Sequence, residues 1–213
     1  MIQVYYTYTD FLPKGKLDDL IPALSERNKS KWAGYKLLED KLLLLASSAL
    51  LAKVLLENGY PDYKLCDLQY TEEGRPFFPD APFDFNISHT ERCTAVAFSE
   101  NGRVGIDIET IKAVDFSDFD LVFTKEVWDI IHASNNDNQM FHHYWTLLES
   151  AVKADGRGLS KISFENTILE NNQVILDRKV WYSHHLDFDP CITCSVTSNK
   201  RNETVEFREI RFI

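Results

Sequence analysis

Between Leu42 and Leu56 the chain carries Leu, Ala, Ser and Val, broken only by Lys53. A helix that is apolar nearly all round must be covered by other parts of the protein. Its most apolar stretch, Leu42 to Ala46, falls far short of the ~20 residues of a membrane span, so the cover has to come from the chain itself. With 213 residues the chain is long enough to bury such a helix without disulfide or metal staples. The helical block runs from about Ser25 to Glu57, and Asn58-Gly59 followed by Pro61 stops it.

The rest of the chain reads mostly as short strands. Val4, Tyr6 and Tyr8 alternate with Tyr5, Thr7 and Thr9 in the strand rhythm. Further strands are expected at Leu65–Tyr70, Phe83–Ser88 and Thr94–Phe98, with a turn at Gly74-Arg75-Pro76. Asn101-Gly102 is a pair favoured in tight hairpins, with Arg103–Thr110 as the returning strand. A helix opens near Thr124 and Glu126, and a second runs from about Gln139 to Ala154 with Gly156 as its stop. Strands at Phe164–Leu169 and Gln173–Leu176 flank Asn171-Asn172, and three more lie near Val180–His184, Cys191–Val196 and Thr204–Phe212. The order predicts an α+β fold of two similar halves with antiparallel sheets in a pseudo-twofold arrangement. Residues 1–101 form the first half and 102–213 the second. Hairpins argue against a doubly wound parallel sheet.

Charge narrows the function. Lys and Arg number 23 against 33 Asp and Glu, a formal net charge of -10. Such a chain lacks the bulk positive field of a nucleic-acid binder. It can hold an anion only through a local basic patch or a metal ion. One patch exists: Glu26–Lys41 has five basic residues (Arg27, Lys29, Lys31, Lys36, Lys41) against three acidic ones. The amino terminus lacks a basic signal-peptide region, and four cysteines are too few for a disulfide scaffold. These features predict a cytoplasmic protein with free thiols that engages neither nucleic acid nor membrane.

Four segments carry polar groups in chemically useful patterns. In Gly105-Ile-Asp-Ile-Glu109, strand alternation sends Ile106 and Ile108 to one face and Asp107 and Glu109 to the other, ~7 Å apart. Gly105 leaves room beside the pair for a ligand. A divalent cation bridging them would turn their repulsion into attraction, and hard oxygens suit Mg²⁺. A solvated outer strand face accounts for the same pattern. Glu149 and Lys153 stand one helical turn apart in the favourable order, on a different face from the apolar stripe Met140, Phe141, Tyr144, Leu148 and Val152. They suit either a metal-and-phosphate site or a plain surface ion pair. Asn86-Ile87-Ser88-His89 ends a strand in groups that can bond a phosphate, and Gly74-Arg75-Pro76 is a charged turn.

Together, GRPFFPD (74–80), FNISHT (85–90), VGIDIE (104–109), FTKEVW (123–128) and WTLLESAVKADGRGLS (145–160) follow the order and spacing of the 4′-phosphopantetheinyl transferases. The chain resembles the monomeric, pseudo-twofold class that activates peptide synthetases and other carrier-protein systems. The resemblance implies that coenzyme A binds between the halves. The serine of an apo acyl or peptidyl carrier protein attacks its β-phosphorus, and 3′,5′-ADP leaves. It implies Asp107, Glu109 and Glu149 as ligands of Mg²⁺ (Mn²⁺ being the alternative). Lys153 is placed near the pyrophosphate, and Glu149 is the candidate base for the serine proton. Ser88 and His89 are implied at the coenzyme A phosphates, Arg75 and Pro76 at the adenosine end, and Lys29 and Lys41 at the 3′-phosphate. Two departures stand out. Leu148 occupies the place of a common Lys before the motif Glu, with Arg157 a possible substitute. The segment with Asp115, Asp118 and Asp120 is acidic where an acidic carrier would be met.

The same carboxylates with water as nucleophile would make a Mg²⁺-dependent phosphohydrolase of coenzyme A-like diphosphates. Loss of turnover would leave a non-catalytic coenzyme A- or carrier-binding protein. Cys191-Ile-Thr-Cys194 sits in a strand where residues three apart face opposite ways, so it is no zinc or redox pair. The adjacent His142-His143 and His184-His185 read as surface or half-buried residues.

Overall fold

The computed structural model describes residues 1–12, 18–164, 167–170 and 172–212. It has an α+β fold in two compact units, one made of Met1–Glu100 with Thr204–Ile213 and the other of Asn101–Glu203.

The first unit contains β1 (Ile2–Tyr8), α1 (Glu26–Gly34), α2 (Leu38–Glu57), the short pair β2 (Gln69–Tyr70) and β3 (Pro76–Phe77), β4 (Asp84–Thr90) and β5 (Cys93–Ser99). The second holds β6 (Val104–Thr110), α3 (Lys125–Ala133), α4 (Asp137–Asp155), β7 (Thr167–Glu170), β8 (Gln173–Leu176), β9 (Lys179–His185) and β10 (Ile192–Ser198). The last strand, β11 (Val205–Glu209), returns to the first unit.

The apolar helix is covered as its composition demands. α2 packs on β1, β4 and β5, and Leu50, Leu51, Val54 and Leu55 meet Phe85, Val96 and Phe98 in one core. Its few polar groups are satisfied: Ser47 and Thr94 hydroxyls bond at 2.8 Å. Ser25 caps α1 by accepting from Asn28 N–H. The helical block breaks at Tyr35–Leu37, because Tyr35 is extended and its N–H closes α1 on Lys31 O.

The sheet order is β11-β1-β5-β4 in the first unit and β6-β10-β9-β8-β7 in the second. β1·β5·β4 and β6·β10·β9 therefore repeat one antiparallel pattern. α4 crosses its sheet chiefly on β6 and β10. Asn136 caps it through Gln139 N–H at 3.1 Å, and Gly156 ends it in the left-handed conformation (φ 86°).

Three expectations are corrected. β5 and β6 do not form a hairpin at Asn101-Gly102, because both edges of β5 are taken by β1 and β4 while β6 pairs with β10. The carboxy-terminal strand belongs to the first unit, not to a half running through 213, because β11 pairs in parallel with β1. Leu65–Asp67 is a helical turn, and only Gln69–Tyr70 is strand. Leu65 and Leu68 are both buried, three residues apart, which is helical rather than strand spacing. β7 and β8 do form the hairpin expected there; Asn171 itself lies outside the described residues. No helix among the described residues is long and apolar enough to cross a membrane.

Candidate functional site

The site in the second unit grows from the packing of α4 on β6. A Cβ placed on Gly105 would lie 2.0 Å from Ser150 O and 2.4 Å from Ala154 N. The glycine lets the helix backbone lie directly on the strand. The space beside Gly105 is thus filled by α4 and is not left for a ligand, as the sequence suggested. Alternation then turns Asp107 toward α4 as well, and Asp107 is only 3% exposed. Lys153, nearly one turn beyond Ser150, donates from Nζ to Asp107 Oδ1 at 2.5 Å. Farther along the interface, small hydroxyls close the contact: Thr146 bonds Ser195 at 3.0 Å and Ser150 bonds Thr197 at 2.7 Å. The solvated-face reading of Asp107 is overturned by this burial.

Glu109 and Glu149 complete an acidic neighbourhood around Lys153. Burial pushes Glu109 up to about 7; the Asp107 and Glu149 charges add to this, and Lys153 and Lys112 oppose it. Burial also raises Glu149, with Lys153 opposing and Asp107 adding. Burial pulls Lys153 down, but Asp107, Glu149 and Glu109 outweigh it and hold the ammonium firmly protonated. Three carboxylates share one close ammonium, so the cluster has an excess of negative charge. That excess and the all-oxygen donor set suit a hard divalent cation. Among the described residues, no group of three His, Cys, Asp or Glu side chains is arranged to hold a metal ion. Instead, the Lys153 ammonium occupies Asp107 Oδ1.

His142 is 4% exposed and buried rather than superficial. Its Nε2 lies 3.3 Å from Lys112 N and 3.1 Å from Lys112 O. Burial lowers its pKa, so the neutral ring secures the chain just beyond β6. Its burial was not legible in the sequence, because its partner Lys112 lies 30 residues away along the chain. Leu148 is fully buried in the core of this unit, so a Lys there would have to bury its ammonium. Arg157 is engaged by Asp155 and by Asp177 (2.8 Å), which removes it as a ready substitute for that Lys. Cys191 is exposed and Cys194 buried; Cys191 lies in the turn before β10 rather than on the strand.

The other candidate residues lie in the first unit, around a cavity of about 200 Å³ lined by Asn28, Lys31, Tyr35, Tyr70, Pro76 and His89, among others. Asn28, Lys31 and Tyr35 are spaced three and four apart on one face of α1 and its exit. Lys31 is the basic residue of that lining, and burial, then Arg27, lowers its pKa. Lys29 is not part of that lining and donates to Glu26 at 2.8 Å. Lys41 lies over the Trp32 ring, 4.5 Å from its centroid. Ser88 and His89 face different ways: Ser88 is buried and His89 exposed, as adjacent strand residues point to opposite faces. Arg75 is turned inward, donating from Nη2 to Asp84 Oδ2 (2.7 Å) and to Phe85 O (3.0 Å). It braces the turn after Gly74, whose φ is +87°.

Residues 103–200 match the sequence profile of the 4′-phosphopantetheinyl transferase superfamily, a span that contains the whole Asp107–Lys153 cluster. The chain is 28% identical over 182 residues to 4′-phosphopantetheinyl transferase Sfp of Bacillus subtilis, covering 83% of this chain and 81% of that protein. It is 29% identical to the B. subtilis transferase ffp over 167 residues, 75% and 72% of the two chains. A putative 4′-phosphopantetheinyl transferase of Haemophilus influenzae is 32% identical over 146 residues, 64% and 62% of the two chains. Over residues 103–200, a little under half of its length, the chain is thus similar to the 4′-phosphopantetheinyl transferase superfamily.

Proposed function

We propose that this protein transfers the 4′-phosphopantetheine group of coenzyme A to a serine of an apo acyl or peptidyl carrier protein, with release of 3′,5′-ADP. The observation that carries the reading is the cluster of buried Asp107 with half-buried Glu109, Glu149 and Lys153, inside the segment that matches the superfamily. Phosphoryl transfer needs positioning and charge stabilisation more than covalent chemistry. Asp107, Glu109 and Glu149 are the residues that would hold Mg²⁺, or Mn²⁺ in its place. When bound, the ion would supply Lewis-acid stabilisation of charge on the diphosphate oxygens. Lys153 would leave Asp107 for the diphosphate, carrying its positive charge with it. Glu149, whose proton affinity is raised by burial, is suited to accept the proton of the attacking serine. Lys31, partly desolvated on the cavity of the first unit, is the better candidate for the 3′-phosphate than Lys29 or Lys41. His89 and Pro76 line the same cavity and are read as coenzyme A contacts, while Arg75 and Ser88 shape the strand and turn that carry them. The protein is taken to act as a cytoplasmic monomer.

The test is incubation with coenzyme A, Mg²⁺ and several apo carrier proteins, followed by intact mass measurement. A carrier mass gain of one phosphopantetheine unit is expected. Asp107→Asn should cut the rate by roughly 10²–10³, the scale of losing one charge-stabilising group, with folding checked by circular dichroism. Cleavage of coenzyme A without carrier modification would instead mark a phosphohydrolase, and binding without either product a non-catalytic protein.

A further inference from the structure

The charge of the first unit's cavity is not settled by its own lining. Among the described lining residues, Lys31 and Asp40 carry the formal charges, and these cancel. A ligand phosphate held there needs a further cation. The same face of α1 supplies one: Arg27 stands one turn before Lys31, beside Asn28. Arg27 is close enough to add to burial in lowering the Lys31 pKa, and an anion shared by the two would relieve that repulsion. A Cβ on Gly74, another lining residue, would lie 3.2 Å from Arg27 Nη2, so the guanidinium sits at the cavity's edge.

Tyr70 is what fixes these groups. α1 has no buried residue of its own, and its Trp32 is only partly buried against the core. Tyr70 reaches the helix twice. Its hydroxyl donates to Asn28 Oδ1 at 2.8 Å, and its ring lies beneath the Arg27 guanidinium, 4.4 Å from the ring centroid. Tyr70 is itself held by the fold. It pairs with Pro76 in the β2–β3 ladder, and Gly74 N–H closes the connecting turn on Thr71 O at 3.0 Å. Arg75 then ties that turn to Asp84 of β4 at 2.7 Å. The position of both cations on α1 is thus referred, through one side chain, to the sheet of the first unit.

We propose that Tyr70 is a positioning residue that sets the preference of this cavity for coenzyme A over its 3′-dephospho form, by holding Arg27 and Lys31 as a two-cation clamp for the 3′-phosphate. The proposal rests on the assignment of Lys31 to that phosphate. Calorimetric titration of the full-length protein with coenzyme A and with 3′-dephospho-coenzyme A tests both, with no carrier protein present. Lys31→Ala should weaken coenzyme A about tenfold and its dephospho form less than about twofold. Tyr70→Phe keeps the ring beneath Arg27 and loses the hydroxyl. It should weaken coenzyme A about fivefold, the scale of one neutral hydrogen bond, and the dephospho form less than about twofold. Asn28→Ala should match it, and the two changes together should cost no more than either alone, because they break one contact. Arg27→Gln should likewise weaken coenzyme A selectively. A purely structural Tyr70 would weaken both ligands alike. That result, or additive losses from Tyr70→Phe and Asn28→Ala, overturns the proposal. A preference lost in Lys31→Ala but intact in Tyr70→Phe overturns the clamp alone. Equal affinities in the wild type, or a preference that survives Lys31→Ala, overturn the phosphate assignment and the clamp with it.

Discussion

Gly105 decides the geometry of the carboxylate cluster although it has no functional group. The contacts of its hypothetical Cβ are with helix backbone, which no rotamer change relieves. Gly105→Ala should therefore cost about 3 kcal/mol or more, read from denaturant unfolding. It should also lower transfer by separating Lys153 from Asp107. Gly156→Ala is a useful comparison, because it strains only the cap of α4 and not the strand contact. His143 carries a different prediction. Its folded-state pKa is pushed down to about 4 by burial, then by His185, while the unfolded ring titrates near 6.5. Both states are neutral above about pH 6.5. As pH falls from there toward 4 the unfolded chain takes the proton first, so stability is lost across that window and levels off below it. The loss from this residue between pH 7 and 5 is about 1 to 2 kcal/mol. His143→Gln should flatten the fall in unfolding midpoint between those two pH values. An equally steep fall in the variant would assign the acid sensitivity to other groups.

The two helices that carry chemistry were read unequally well from sequence, and the reason lies in what each packs against. α4 announces itself: its apolar stripe and the Gly156 stop are local features, and the structure keeps both, while Lys153 bonds Asp107 of β6. α1 has no buried residue of its own, so no stripe orients it. Charge count located the basic island, but choosing among its lysines required knowing where the cavity lies. With α1 in place, Lys31 shares a face with Asn28, and Lys29 pairs with Glu26. Lys31→Ala should raise the coenzyme A dissociation constant about tenfold, the scale of losing a charge-assisted hydrogen bond. Lys29→Ala should change it less than twofold, and calorimetric titration separates the two. Strand β6 was half legible. Its alternation was right, but the partner over its Asp107 face is α4, some 40 residues later, and nothing in VGIDIE shows that. The Asn101-Gly102 signal failed for a similar reason: a turn-forming pair sets local backbone, whereas sheet membership is set by which edges remain open.

At the scale of the whole chain, the path leaves the first unit at Glu100 and returns to it at Thr204. The second unit is in effect an insertion, and the chain from Thr204 on belongs to the first. β11 runs parallel to β1 from Ile2↔Val205 to Tyr6↔Glu209. Phe207 stacks on Tyr6 with ring centroids 4.6 Å apart, Arg208 pairs with Glu57, and Ile210 is buried, its N–H bonded to Tyr6 O at 2.8 Å. A fully buried Ile and a partly buried Phe together contribute about 3 to 4 kcal/mol. Removing them also opens the β1 edge, leaving its outward N–H and C=O groups to water or to another chain. A chain ending at Glu203 should accordingly lose hydrogen-exchange protection along β1 and gain a tendency to self-associate. The β6 and β10 amides should keep theirs, since every ladder partner of those strands lies within residues 101–203. Stability is then divided between two cores with separate hydrophobic clusters, and damage to one sheet edge stays in the unit that owns it. Equal loss of protection in both sheets would show instead that the chain unfolds as one cooperative body, with the tail holding the second unit through the first.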